Sequence, residues 1–292
     1  MQEETTVISN EQAGAGFRRL RLAAPGVAAA AAPGRFVHVR VPGLEEGAMR
    51  RPISICDADA DAGVLVLFFK VVGRGTEALA RVRPGDRVDL LGPLGNGFPE
   101  PPAPENQELR VESGELREKG GEVLLVGGGY GVAPLLFLAK RLVGRGTAPR
   151  RIHLFVGGRT AADVLLQDEF AALGVGRHVA TQDGSLGVRG LVTAPLDSWL
   201  SSRFPDFVSS QLSTLDSRLS LFACGPAPML QALDGRAARF GFPAWLSLDR
   251  RMACGVGACL GCVQRVRDGA GGERWARVCS DGPVFPAGSI VW

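Results

Sequence analysis

The 292-residue chain has only three histidines, and none stands in a pattern that pairs a base with a nucleophile. Nucleophilic and general-base catalysis need such pairings, so a site that takes a proton from a small ring is not expected in this chain. A charge bias is missing too. There are 33 Lys and Arg against 30 Asp and Glu, a formal net charge of +3, with the basic residues scattered. That argues against a nucleic-acid partner. No long apolar run is unbroken. The longest, residues 123–139, is interrupted by Gly127-Gly128-Gly129 and Gly131, and it predicts strand, turn and helix, not a membrane span. The opening MQEETTVIS shows no basic-then-apolar secretory pattern. A reducing, cytoplasmic setting is therefore expected, with free thiols in place of disulfides. Hydrophobic residues make up 46% of the chain, ample for a core, and the 40 glycines predict many tight turns and ligand loops. The length suits two or three domains.

The cysteines carry the sharpest signal. Cys254, Cys259 and Cys262 lie in one glycine-rich loop of spacing C-x4-C-x2-C, and Cys279 follows after sixteen intervening residues. This is the plant-type spacing of a 2Fe–2S centre, with four thiolates holding two irons. Glycines allow the tight turns and close approach such a loop needs, and their N–H groups can point at the sulfurs. A structural zinc site also uses four cysteines, but usually as two C-x2-4-C pairs. Cys56 and Cys224 remain, far apart in sequence, and need not pair.

Residues 1–99 predict an antiparallel barrel. Strands are expected at 7–8, 17–22, 36–41, 64–72 and 87–91, separated by Gly and Pro. Val37, Val39 and Val41 alternate with His38 and Arg40, which puts His38 on the polar side as a surface histidine. Two stretches can bind a ligand. In Arg51-Pro52-Ile53-Ser54, Pro52 fixes the backbone beside the arginine and Ser54 can hydrogen-bond a flavin. Gly75-Thr76 opens a short helical pattern, and a helix start near an arginine suits an anion.

Residues 100–121, rich in Pro, Glu and Arg, predict an exposed linker. From Glu122 the pattern changes to a parallel-sheet nucleotide-binding domain over 122–245. An apolar strand runs into Gly127-Gly128-Gly129-Tyr130-Gly131 and then a helix. Three more strands end in Gly157-Gly158-Arg159, in Asp183-Gly184-Ser185 and in Cys224-Gly225-Pro226. Ligands bind outside the carboxyl ends of parallel strands, so these loops outline one site. Residues 204–218 predict an inserted polar loop, and 246–292 a small cluster domain.

Together these motifs resemble the ferredoxin reductase superfamily. Leu248-Asp249-Arg250-Arg251-Met252-Ala253-Cys254 and Cys279-Ser280-Asp281-Gly282-Pro283-Val284-Phe285 resemble the iron–sulfur domain of electron-transfer subunits of dihydroorotate dehydrogenase B. The resemblance spans the whole chain. It implies FAD on the barrel, met by Arg51 to Ser54, by Phe68, Phe69 and Lys70, and by Gly75-Thr76 at its pyrophosphate. It implies NAD at the glycine-rich strand ends, with Cys224 beside the nicotinamide. It also implies an FMN-containing dihydroorotate-oxidising partner, two of each chain, in pyrimidine synthesis. Electrons would pass from FMN to the 2Fe–2S cluster, to FAD and to NAD⁺. Ile53 stands where a tyrosine is common, and Asp249 where glutamate is. Arg159 would suit the extra phosphate of NADP, but Asp163 would repel it, so NAD is expected. Two alternatives stand: an NAD(P)H-linked reductase subunit of another complex (sulfide dehydrogenase, ferredoxin:NADP transhydrogenase or sulfhydrogenase type), and a flavin-binding redox sensor. The former more often carry Cys-Gly-Gly-Cys where this chain has Cys259-Leu260-Gly261-Cys262. The apolar Val256, Leu260 and Val263 around the cysteines are either a docking face or the small domain's own core.

Overall fold

A computed structural model describes residues 1–41, 50–101, 121–204, 219–269 and 271–292. The expected linker and the 204–218 loop therefore lie almost wholly outside the described residues. The first part is a closed six-stranded barrel of order β1-β2-β5-β4-β3-β6. Its strands are β1 (Gln2–Gln12), β2 (Phe17–Ala23), β3 (Phe36–Arg40), β4 (Arg51–Asp59), β5 (Val64–Lys70) and β6 (Arg87–Leu94). Helix α1 (Pro25–Ala30) follows β2, and helix α2 (Arg74–Leu79) follows β5.

The barrel has one strand more than the five expected, because Arg51-Pro52-Ile53-Ser54 itself begins β4. β1 is also far longer than its two apolar residues predict. Its sequence, QEETTVISNEQ, is mostly polar, and pairing with β2 and β6 makes it a strand. His38 is a second correction. It is fully buried at 0% exposure, not a surface residue. Val37 and Val39 fill the barrel as the alternation requires, but the outer face of β3 is covered by another part of the chain.

The second part is a seven-stranded sheet of order β10-β9-β8-β7-β11-β12-β15. Its strands are β7 (Glu122–Gly128), β8 (Ile152–Gly158), β9 (Gly176–Thr181), β10 (Val188–Arg189), β11 (Leu219–Cys224), β12 (Ala244–Ser247) and β15 (Val284–Pro286). Six run parallel, and β15 pairs antiparallel with β12. The central strands β7 and β11 are buried on both faces, as their unbroken apolar runs predict. Helices α3 (Val132–Gly144), α4 (Gln167–Ala172), α5 (Thr193–Arg203) and α6 (Ala227–Phe240) cover the sheet. α3 also packs on β4 of the barrel, where Lys140 pairs with Asp57 at 2.5 Å. The cysteine region adds a hairpin of β13 (Val263–Arg267) and β14 (Glu273–Arg277). Asp234 of α6 ties the chain end down, accepting from the Gly288 N–H at 2.6 Å and the Trp292 indole at 2.7 Å.

Candidate functional site

Three candidate sites adjoin one another. The first lies on the barrel. Arg51 at the head of β4 packs its guanidinium against Gly75, and a Cβ on Gly75 would collide with it. The arginine and the helix start that the sequence singled out are thus brought together. The Thr76 hydroxyl is already committed. It accepts from the N–H groups of Val72 (2.9 Å) and Gly73 (3.2 Å) and donates to the Gly73 carbonyl (3.0 Å). Its work is to hold the turn beside which the Arg51 guanidinium lies. Ser54 and Pro52 are half-buried, and Ile53 is buried in the barrel core. Phe69 also faces that core. Phe68 stacks on Phe17 at 5.8 Å. Lys70 places its ammonium 5.2 Å from the Phe17 ring centre and lines the adjoining cleft.

That cleft, of about 650 Å³, opens at the carboxyl ends of the parallel strands. Cys224 stands across from Gly127 in the β11–β7 register. This is where the strand order reverses, the usual place for a nucleotide. The two glycine-bearing turns meet backbone to backbone here. A Cβ on Gly131 would strike the Cys224 carbonyl, and one on Gly128 would lie 2.7 Å from Pro226. Burial pushes the Cys224 thiol up to about 12, with Ser247 working against and Asp249 adding to the rise. Cys224 is therefore a neutral thiol at neutral pH. Asp183 is turned away into its own loop, where Ser185 donates to it from N–H (2.9 Å) and hydroxyl (2.7 Å). Gln182 makes the cleft wall at that strand end, with Gly184 one turn further on.

One wall residue was given no role by the sequence reading. The Tyr130 hydroxyl donates to Asp249 at 2.8 Å, so the glycine-rich turn is bonded to the start of the cysteine region. Burial and then the Asp249 carboxylate raise the Tyr130 hydroxyl well above its ordinary value. The signal was there: Tyr130 is the chain's one tyrosine and interrupts a run of glycines. Asp163, which the sequence set against a 2′-phosphate, lines the cleft as well. Its carboxylate pairs with the Arg159 guanidinium at 3.5 Å and accepts from the Arg159 N–H at 3.3 Å.

The third site is the cysteine loop. Its thiols gather as two pairs, Cys254 with Cys259 and Cys262 with Cys279. Backbone N–H groups point at the sulfurs. Gly257 donates to Cys279 at 3.1 Å, and Cys259 donates to Cys254, Gly261 to Cys259 and Cys279 to Cys262, each at 3.4 Å. Burial opposes ionisation of Cys254, but the N–H groups of Val256, Cys259 and Ala258 and the Cys259 thiol bring it down to about 6. Among the described residues, no three His, Cys, Asp or Glu side chains converge on one metal point. Two pairs of thiols suit a centre of two irons better than one tetrahedral zinc. The donor set fits a 2Fe–2S cluster.

The loop rests on the barrel. Asn96, in the Gly92 to Phe98 stretch that closes the barrel, donates from its backbone to Gly282 at 2.6 Å. Its side chain donates to Asp281 (3.1 Å) and Ser280 (3.3 Å). On the outer side Val256 and Leu260 are 52% and 62% exposed, and Trp275 of β14 is 65% exposed. They are not core. Leu260 also holds a left-handed φ of 57°, a conformation that costs a branched side chain energy and marks a constrained loop.

Comparison with known proteins decides the family. A profile for the iron–sulfur cluster binding domain of dihydroorotate dehydrogenase B matches residues 249–291. Profiles for oxidoreductase NAD-binding and FAD-binding domains match 125–234 and 4–98. The dihydroorotate dehydrogenase B (NAD(+)) electron transfer subunit of Geobacillus thermodenitrificans strain NG80-2 is 42% identical over 291 residues, 99% of this chain and 98% of that one. The chain belongs to this family. The same subunit of Bacillus caldolyticus is 44% identical over 261 residues, 89% of this chain and 86% of that one. Among solved structures, an NADH-dependent reduced ferredoxin-NADP oxidoreductase superposes with a TM-score of 0.74 at 29% identity, covering 99% of this chain and 90% of that one. The chain thus carries FAD-binding, NAD-binding and iron–sulfur domains in that order. Among the described residues no helix is long and apolar enough to cross a membrane.

Proposed function

We propose that this chain carries electrons between an FMN-containing, dihydroorotate-oxidising subunit and NAD⁺, in an assembly of two of each chain in the cytoplasm. Cys254, Cys259, Cys262 and Cys279 hold a 2Fe–2S cluster. Arg51 to Ser54, Lys70 and the Gly75-Thr76 turn hold FAD. Gly127 to Gly131, Gly184 and the Cys224-Gly225-Pro226 turn border the NAD site. FAD supplies the exchange between a one-electron cluster and a two-electron nicotinamide. The chain's own residues do the rest. Arg51 binds an anion, the paired glycine turns let the nicotinamide coenzyme approach the sheet end, and the neutral Cys224 thiol neither repels nor attacks it. Asp183 is held in its own loop and shapes that loop without reaching into the cleft.

The observation that carries this reading is contiguity. The cysteine loop is bonded to the barrel through Asn96, while the barrel's Lys70 and the Cys224 turn line one cleft. A 2Fe–2S cluster, FAD and NAD placed so form an unbroken series. The exposed Val256, Leu260 and Trp275 give the partner a surface beside the cluster. Co-expression with an FMN-containing dihydroorotate-oxidising subunit tests it. The complex should form orotate with NAD⁺ as acceptor and contain iron, FAD and FMN. A stable flavoprotein that reduces ferredoxin with NADH, yet never accepts electrons from dihydroorotate through any such partner, would favour the transhydrogenase-type alternative.

A further inference from the structure

His38 is the one histidine among the described residues with no exposed surface, at 0%. β3 carries it opposite Pro52 of β4 and Leu91 of β6. Its neighbours Val37 and Val39 point into the barrel, so its ring leaves by the outer face. There the cysteine loop covers it. A Cβ on Gly255 would stand 2.6 Å from Cε1, 2.7 Å from Nε2 and 2.8 Å from Nδ1 of the ring, so the imidazole lies flat against the Gly255 Cα. Gly255 directly follows Cys254 in the chain. The Phe36 ring, tilted at 59° with its centre 5.8 Å away, flanks the imidazole.

Neither ring nitrogen has a hydrogen-bond partner among the described residues. Native proteins leave few buried polar groups in that state, because an unmet donor costs its whole desolvation. Burial, helped by the Arg50 charge, holds the His38 pKa down to about 4, so the ring is neutral and has one N–H to give. Phe36 and Gly255 supply no side-chain acceptor. Sulfur is the acceptor that the neighbouring loop is built to hold.

We propose that His38 is a positioning residue for the iron–sulfur centre: its ring seats Gly255, and with it Cys254, on the barrel, and its N–H donates to a sulfur of that centre. The inference rests on the cluster reading above. It makes β3 the strand that joins the cluster loop to the strand bearing Arg51 and Ser54. Hydrogen bonds to sulfur favour the reduced centre, so losing this one should shift the oxidised-to-reduced ratio at fixed potential about three- to tenfold toward oxidised.

The test uses the full cluster-loaded chain labelled with ¹⁵N on histidine only. Pulsed EPR of the reduced centre should show coupling to a histidine nitrogen. His38→Phe should abolish that coupling and shift the redox equilibrium, and His38→Gln, which keeps a donor, should restore part of the shift. A wild-type chain with a full cluster signal and no histidine coupling would overturn the proposal, even if His38→Phe cannot hold a cluster. So would a His38→Phe chain whose cluster equilibrium is unchanged. A wild-type chain that takes up no iron would overturn the cluster reading, and this inference with it.

Discussion

Gly75 cannot be any other residue while Arg51 stays where it is, since a Cβ there would run into the guanidinium. The arginine is thereby aimed at the turn that opens α2. Replacing Arg51 by Ala should remove a charge-assisted contact of about 1.5–3 kcal/mol, or about ten- to hundredfold in flavin affinity. Dialysis against flavin-free buffer, followed by absorbance, reads this directly. Full flavin retention would place the anion elsewhere. Gly255 is constrained twice, by a φ of +71° and by the His38 ring 2.6 Å from where a Cβ would sit. Gly255→Ala should therefore carry about 1–3 kcal/mol of backbone strain on top of the clash. Iron per chain should fall, and adding His38→Ala should recover part of it. A fully loaded Gly255→Ala chain would mean that the loop has room to spare.

At the level of elements, we propose that the end of β8 governs coenzyme choice. Asp163 lies against Gly158 and pairs with Arg159, which is itself 73% exposed. The cation that would suit a 2′-phosphate is thus partly neutralised, and a carboxylate stands beside it. NADH should be preferred. Asp163→Ser should raise the ratio of kcat/KM for NADPH over NADH by about tenfold, equivalent to about 1.4 kcal/mol. An unchanged ratio in that variant would show that the ribose does not reach this strand end. The same element shows why the sequence pattern worked. A buried parallel strand followed by glycines is a local signature, and β7, β8 and β11 all start within a residue of where their apolar runs begin. β1 and β4 lacked that signature because a barrel strand needs only its inner face apolar, and β1 spends much of its length at polar residues.

For the whole molecule, the question is what meets the apolar rim of the cluster loop. Leu260 and Trp275, with Val263, Arg274, Arg277 and Asp281, line a depression of about 560 Å³. Leu260 is exposed, so Leu260→Asp should leave the fold, the cluster and NADH-driven flavin reduction intact. Binding to the proposed FMN-containing partner should weaken by tenfold or more, since one buried leucine contributes roughly 1.5–3 kcal/mol. Calorimetry or size-exclusion chromatography of the mixed subunits would show it. Bleaching of the cluster would mean the side chain supports the loop, and unchanged binding would move the interface elsewhere.

The residues alone determined whatever is written in short stretches of chain: the cysteine spacing, the glycine turns after apolar strands, the alternating valines of β3 and the arginine–proline segment. Spacing dictates metal chemistry, and periodicity dictates which face is buried, without reference to the rest of the fold. Contacts between distant stretches were decided only by tertiary structure. Asn96 meets Gly282, Tyr130 meets Asp249, and β15 joins the nucleotide sheet from the far end of the chain. His38 is the sharpest case. Alternation correctly turned it away from the barrel's interior, but no local pattern could tell that Gly255 would be waiting there. Burial of an outward face depends on which surfaces the whole chain brings together, and that is not a property of the strand.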